Sequence, residues 1–224
     1  MEKLFNSVAT AKPLDKPYIS SEKRRMLTKI KKRFQHWIST GAKLAHQIGL
    51  TPNVVSALGM MFAVMSATAY ANAYLRPSLL LVAPILLLVS GFCDALDGAI
   101  ARIHVETTVF GKFLDSMLDR FADAVILGGI IFGGLCDPLW GFVALVGSLM
   151  VSYARARAEA LGVEMEAVGV AERAERLVIV AAASFLSVFW PDALYWAVIL
   201  LALLTSFTVL QRVAHFVRAS KNKE

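Results

Sequence analysis

Charge is scarce in this chain of 224 residues: only 18% are Asp, Glu, Lys or Arg, against about 25% in ordinary soluble domains. That scarcity, with 57% hydrophobic residues and a mean hydropathy of +0.61, excludes a disordered chain and argues against a soluble enzyme. Cysteine is almost absent. Cys93 and Cys136 are too few for a disulfide framework or a zinc site, and each reads as a small buried hydrophobe. An apolar stretch near the start is also missing. The first forty residues are polar and basic, the wrong pattern for a cleavable signal peptide.

What the sequence does have is long apolar runs. Six segments of about 20 residues or more, the length a bilayer requires, fall at 52–74, 77–102, 107–135, 138–161, 173–190 and 192–217. Pro52, Pro77 and Pro138 stand where a first helical turn tolerates proline. Pro84 lies inside the second segment, a kink that neighbouring helices can absorb. Ahead of them, Leu27, Ile30, Phe34, Trp37 and Ile38 recur at helical spacing among Lys29, Lys31, Lys32 and Arg33. That pattern reads as an amphipathic helix on a membrane surface rather than a nucleic-acid-binding tail. The expected fold is thus an all-α membrane protein, six transmembrane helices preceded by an amphipathic juxtamembrane helix. Its parts are a basic segment 1–42, a bundle 43–217 and a basic tail 218–224. Of 23 Lys and Arg, only Arg76 falls in an outer connection. The positive-inside rule therefore puts both termini and the charged loops on the cytoplasmic side of the cell membrane.

The anomaly is acidic. Asp94 and Asp97 close the second apolar run, and Asp115, Asp119 and Asp123 open the third. Carboxylates within spanning helices cost several kcal/mol and mark function by default. The first pair is spaced i, i+3 and the second set i, i+4, i+8, so each set shares one helix face. Consecutive antiparallel helices bring the two faces together about 10–12 Å below the loop. Facing carboxylates stay ionised only with cations between them, and an all-oxygen donor set suits Mg²⁺, Mn²⁺ or Ca²⁺ rather than zinc. Gly98, Ala99, Ala101 and Gly111 let helices or phosphates approach the backbone.

Asp94 to Asp119 reads D-x-x-D-G-x-x-A-R-x8-G-x-x-x-D-x-x-x-D, eight fixed positions over 26 residues. This segment closely resembles the signature of the CDP-alcohol phosphotransferases, and their six-helix organisation extends the resemblance over about 43–217. Members of that family move a substituted phosphate from a CDP-linked lipid to an alcohol and release CMP. The resemblance implies metal ligation by Asp94, Asp97 and Asp115, with Asp119 as general base and further metal contact. It implies two Mg²⁺ or Mn²⁺ ions. It also implies a CDP-lipid site at Asp97, Gly98, Ala101, Arg102 and Gly111, joined by Asn53 and Ser56 from the opening of the first span. A homodimer among membrane lipids is expected on the same ground, with no nucleic-acid partner. Asp123 falls outside the signature, either bonding between helices or lining the acceptor pocket.

Arginines bear on the acceptor. Tyr153, Arg155, Arg157 and Glu159 precede Glu172, Arg173, Glu175 and Arg176, and Arg212 stands among apolar turns of the last span. Guanidinium forks suit phosphate oxygens, and a phosphate-bearing acceptor explains several at one site. The stretches S-Y-x-R-A-R-A-E and E-R-x-E-R resemble the inositol-phosphate branch of the family. By that resemblance Arg155, Arg173, Arg176 and Arg212 hold the phosphate of inositol 1-phosphate, and the donor is CDP-diacylglycerol or CDP-archaeol. Arg157, Glu159 and Glu172 then order the loop. The alternative is a phosphatidylglycerol phosphate synthase taking glycerol 3-phosphate. A cation transporter or an aspartate-rich prenyltransferase is more distant: the first leaves Arg102 and the arginine cluster unexplained, the second spaces its motifs farther apart. For Asp119→Asn the expected outcome is retained metal-dependent CDP-lipid binding with abolished transfer, checked by paired binding and CMP-release assays.

Overall fold

The computed structural model describes residues 37–45, 47–103, 108–165 and 168–221. The amphipathic pattern before Trp37, the loop 104–107 and the last three residues lie outside them. Described residues 37–45 are helical, and Ala42 and Ala45 pack with Val55, Ala99 and Ile100 while Trp37 faces outward. Six helices follow: α1 (Pro52–Ala71), α2 (Leu79–Ile103), α3 (Val109–Phe132), α4 (Pro138–Ala160), α5 (Arg173–Leu186) and α6 (Ala193–Lys221).

Local chemistry sets the helix starts. Pro52 and Pro138 occupy the first turns of α1 and α4, where a missing N–H costs nothing. Asp137 caps α4 by accepting from Leu139 N at 2.9 Å and Trp140 N at 3.4 Å. Thr108 caps α3 by accepting from Gly111 N at 2.9 Å. The second segment differs from the sequence reading: Pro77 lies in the preceding turn, and the helix begins at Leu79. Pro84 is buried within α2, and the hydroxyl of Ser66 on α1 donates to the adjacent Ala83 carbonyl at 2.8 Å.

The polarity is inverted relative to a soluble bundle. Met61, Met65, Ile85, Phe113, Phe142 and Phe207 face outward, while Ala63, Ser66, Ala144, Ser184, Ala202 and Thr205 are buried. Lipid tails are as apolar as leucine, so helix contacts rest on close packing of small residues and on internal hydrogen bonds. Ser184 donates to Val180 O at 2.7 Å and lies 2.7 Å from the buried Tyr70 hydroxyl. Thr205 donates to Leu201 O at 2.8 Å. α1 packs along α2 and α3, α4 along α6 and α3, and α5 bridges α2 and α6. The consecutive helices α2 and α3 scarcely touch each other. The site lies in the space between them.

Four helices, α1, α2, α4 and α6, are long and apolar enough to cross a membrane. Together with the absence of strands among the described residues, they define an all-α membrane protein. α3 falls short because Lys112, Asp115, Asp119, Arg120 and Asp123 charge its first half. α5 has 14 residues, a rise of about 21 Å against a hydrocarbon core of about 30 Å. Both cysteines are free, Cys136 in the core and Cys93 half-buried.

Adjacent glycines on α3 allow a test of the packing argument. A Cβ at Gly129 would overlap the Ala67 backbone on α1, whereas one at Gly128 would meet nothing within 4 Å. Gly129→Ala is expected to destabilise by about 1–3 kcal/mol and Gly128→Ala to be near neutral, compared by thermal unfolding in detergent.

Candidate functional site

Three cavities meet at the carboxylates. The smallest, of ≈ 20 Å³, is bounded by Ser56, Ser90, Asp94, Asp97, Asp115, Asp119 and Arg173, room for a single water- or ion-sized guest. On one side a cavity of ≈ 360 Å³ is lined by Asn53, Asp97, Gly98, Ala101, Arg102, Thr108, Gly111, Lys112 and Asp115. On the other a cavity of ≈ 750 Å³ is lined by Lys112, Asp115, Asp119, Arg120, Asp123, Arg155, Arg173, Arg176 and Arg212, among others. Asp115 borders all three.

The carboxylate cluster follows from the two helical registers. Asp94 and Asp97 on α2 face Asp115 on α3, and each offers an oxygen within 4.8 Å of the others. Three hard oxygen donors at that spacing fit a divalent cation of the Mg²⁺ or Mn²⁺ kind. Asp97 is buried, and the Ser56 hydroxyl donates to its Oδ2 at 2.5 Å while also reaching Pro52 O at 3.0 Å. That bond holds Asp97 in one orientation from α1.

Asp119 lies one turn deeper, outside that triad. Its Oδ1 is 2.7 Å from Arg173 Nη1, which is also 2.6 Å from Asp94 Oδ2. Arg173 Nε reaches Asp123 Oδ1 at 3.2 Å, and Arg176 Nη2 reaches Asp123 Oδ2 at 2.7 Å. Asp123 and Arg176 are both buried, and Arg176 Nη1 also donates to Ala171 O at 3.1 Å. Asp123 thus ties α3 to α5 and borders the large cavity as well. The bond between helices is therefore present, and the other role left open by the sequence depends on what the large cavity binds.

The residues grouped from sequence separate by cavity. Asn53, Gly98, Ala101, Arg102 and Gly111 share the 360 Å³ space, with Asp97 at its inner wall. A Cβ at Gly98 would make only ordinary contact, 3.4 Å from the Arg102 guanidinium, whereas one at Gly111 would lie 2.9 Å from Oγ1 of Thr108, the residue that caps α3. Ser56 stands apart from this group and belongs to the carboxylates. Arg155, Arg173, Arg176 and Arg212 share the 750 Å³ space, each already with a partner. Arg155 Nε is 2.9 Å from Glu159 Oε1. Arg212 is buried and donates from Nε to Val168 O at 2.9 Å and from Nη1 to Val151 O at 2.5 Å. It therefore ties α6 to α4 and to the segment before α5.

Lys112, Arg120 and Ser90 also border the cavities and go unremarked in the sequence reading. Arg120 Nη1 folds back onto the Ser116 carbonyl and hydroxyl. Spacing held a signal for the two cations. Positions 112, 115/116, 119/120 and 123 recur every three to four residues along one side of α3.

A bundle of small-residue helices around clustered acids, with cavities lined by Lys and Arg beside them, is a membrane-embedded site suited to a cation and to anionic ligands. Residues 49–210 match the model of the CDP-alcohol phosphatidyltransferase family, and the chain belongs to that family. It is a transferase of phospholipid biosynthesis. It is 43% identical over 173 residues to the archaetidylinositol phosphate synthase of Methanothermobacter thermautotrophicus, covering 77% of this chain and 86% of the relative. Its identity to the archaetidylinositol phosphate synthase of Pyrococcus horikoshii is 40% over 188 residues, 84% and 95% of the two chains. A crystal structure of Mycobacterium tuberculosis phosphatidylinositol phosphate synthase with manganese and citrate superposes with a TM-score of 0.70 at 31% identity. It covers 80% of this chain and 88% of that one. The same enzyme with CDP-DAG bound gives a TM-score of 0.69, covering 80% and 92%.

Removing the bond that orients Asp97 tests the cluster. Ser56→Ala is expected to lower Mn²⁺ affinity about tenfold or more with the bundle intact, measured by electron paramagnetic resonance beside a thermal-unfolding control.

Proposed function

We propose that this chain transfers a phosphatidyl or archaetidyl group from a CDP-linked lipid to inositol 1-phosphate, releasing CMP. One observation carries the reading. The carboxylates stand as a partition between a glycine-floored cavity and an arginine-lined one, with Asp115 common to both. A donor entering one side and an acceptor entering the other meet at the acids. The archaetidylinositol phosphate synthases among its relatives, named for a product that carries inositol phosphate, support the same acceptor.

In this reading Asn53, Gly98, Ala101, Arg102 and Gly111 receive the CDP moiety. The two glycines let the nucleotide approach the backbone, and Arg102 offsets pyrophosphate charge. Ser56 orients Asp97. Asp94, Asp97 and Asp115 would hold a divalent cation, with Asp119 contributing to a second, and bound there the metal would supply positive charge toward the donor phosphates and the departing CMP oxygen. Arg155, Arg173, Arg176 and Arg212 hold the acceptor phosphate from the other side, with Lys112 and Arg120 on the same wall. Asp119 accepts the proton of the inositol hydroxyl as its oxygen bonds to the lipid-side phosphorus. The bond from that phosphorus to CMP breaks. Holding both substrates in one geometry removes much of the entropic barrier to their reaction.

The membrane arrangement belongs to the same proposal. Six helices cross or enter the bilayer, α3 and α5 among them presenting apolar outer faces (Phe113 and Phe121, Val178 and Leu186) to lipid. The charged end lies on the cytoplasmic side, where soluble inositol 1-phosphate is available. The basic segment 1–42 belongs to that side, the bundle spans 43–217, and the basic end from 218 begins within the last turn of α6, which runs to Lys221. Two copies associate as a homodimer.

The test is CMP release by the purified protein with CDP-archaeol or CDP-diacylglycerol and Mg²⁺, comparing inositol 1-phosphate, free inositol and glycerol 3-phosphate. Turnover with inositol 1-phosphate, and at least about a hundredfold less with free inositol, is the expected outcome, since free inositol offers no anion to the cationic wall. Preference for glycerol 3-phosphate would keep the donor chemistry and overturn the acceptor.

A further inference from the structure

Arg173 is placed as two functions at once would require. Its Nη1 lies 2.6 Å from Asp94 Oδ2 and 2.7 Å from Asp119 Oδ1, and the residue borders the small and the large cavity but not the glycine-floored one. Its Nε lies 3.2 Å from Asp123. One guanidinium therefore serves three carboxylates. Yet the same side chain borders the large cavity, where the acceptor phosphate is placed above.

These demands conflict. Asp94 is one of the three residues whose oxygens converge within 4.8 Å. A dication there and the Arg173 Nη1 group compete for the same Asp94 carboxylate, since two cations so close together repel. Asp123 does not need Arg173 alone, because Arg176 Nη2 holds its other oxygen at 2.7 Å and is itself buried. Arg173 can withdraw from the acids without leaving Asp123 unpaired.

We propose that Arg173 is an exchangeable counter-ion, and that divalent cation binding transfers its guanidinium from Asp94 and Asp119 to the acceptor phosphate. This positioning role rests on the acceptor reading above. While the acids lack a cation, Arg173 neutralises them and is withheld from the acceptor. Once they hold one, Nη1 is released toward the cavity, and the Asp119 oxygen it covered is open to the incoming hydroxyl. No bond is made or broken; ion pairs are exchanged. Because coupling between two binding sites is reciprocal, the acceptor tightens the cation by the factor with which the cation tightens the acceptor.

The experiment follows Mn²⁺ binding to the full chain in detergent by electron paramagnetic resonance, with and without inositol 1-phosphate. In the unaltered protein inositol 1-phosphate tightens Mn²⁺ about tenfold. In Arg173→Gln, Mn²⁺ alone binds more tightly than in the unaltered protein, because its competitor is gone, and the enhancement by inositol 1-phosphate disappears. Arg155→Gln, whose arginine pairs with Glu159 and touches none of the aspartates, weakens inositol 1-phosphate but leaves Mn²⁺ alone unchanged. A merely structural Arg173 would give the opposite sign, weaker Mn²⁺ binding through loss of order. Should Arg173→Gln fail to fold, Arg173→Met provides the same readings, since it keeps the apolar stem and carries no charge to compete with the dication. Mn²⁺ affinity unmoved or weakened by a folded Arg173 variant overturns the exchange and spares the acceptor site. Failure of inositol 1-phosphate to bind the unaltered protein overturns the acceptor site, and the exchange with it.

Discussion

Repulsion among carboxylates is the constraint on which this molecule turns. Asp94, Asp97, Asp115, Asp119 and Asp123 converge between two helices, in surroundings where an uncompensated charge costs several kcal/mol. Direct packing of α2 on α3 would press these groups together without relief. The helices instead stay apart and are joined through α1 and α5. That separation supplies the space for a cation, and α5 brings the arginines that serve where none is present.

The rest of the bundle can be understood as support for that gap. Without a hydrophobic drive between helices in lipid, the supporting contacts need close backbones and hydrogen bonds. Gly129 lies against Ala67 where α3 meets α1, and Gly147 against Thr205 where α4 meets α6. Tyr70 and Ser184 link α1 to α5, and Arg212 links α6 to the carbonyls of Val151 and Val168. Each of these joins elements that hold one wall of a cavity. An arginine can thus be structural through some of its donors and functional through the rest, having five to distribute.

Much of the fold was legible because lipid leaves few options. A long apolar run must satisfy its backbone internally, so it is a helix. Four spans could be counted from hydropathy alone. The other two helices were visible only by allowing for the acids in α3 and for the shortness of α5. Pro77 shows the limit of boundary reading: a proline acceptable in a first helical turn is as acceptable in the turn before it, where it lies. The site was legible to the extent that its spacing is helical. The i, i+3 and i, i+4 placement of acids fixes a face whatever surrounds it, and Asn53, Gly98, Ala101, Arg102 and Gly111 do share a cavity. Ser56 could be tied to this region of the chain but not to its partner, because a hydroxyl four residues into a helix may point toward either neighbour.

By itself the sequence determined the membrane setting, the helical class, the aspartate faces and the family, since each follows from composition or from spacing along a single helix. Tertiary structure alone decided which helix separates α2 from α3, that Ser56 orients Asp97, and that Asp123 takes Arg176. It alone set Arg173 between Asp94, Asp119 and Asp123. The reason is physical. A helix face is fixed by a period of 3.6 residues, but the partner of a charge is fixed by distances across the bundle. Residues 50 and 53 positions apart in the chain meet only once all the helices have packed.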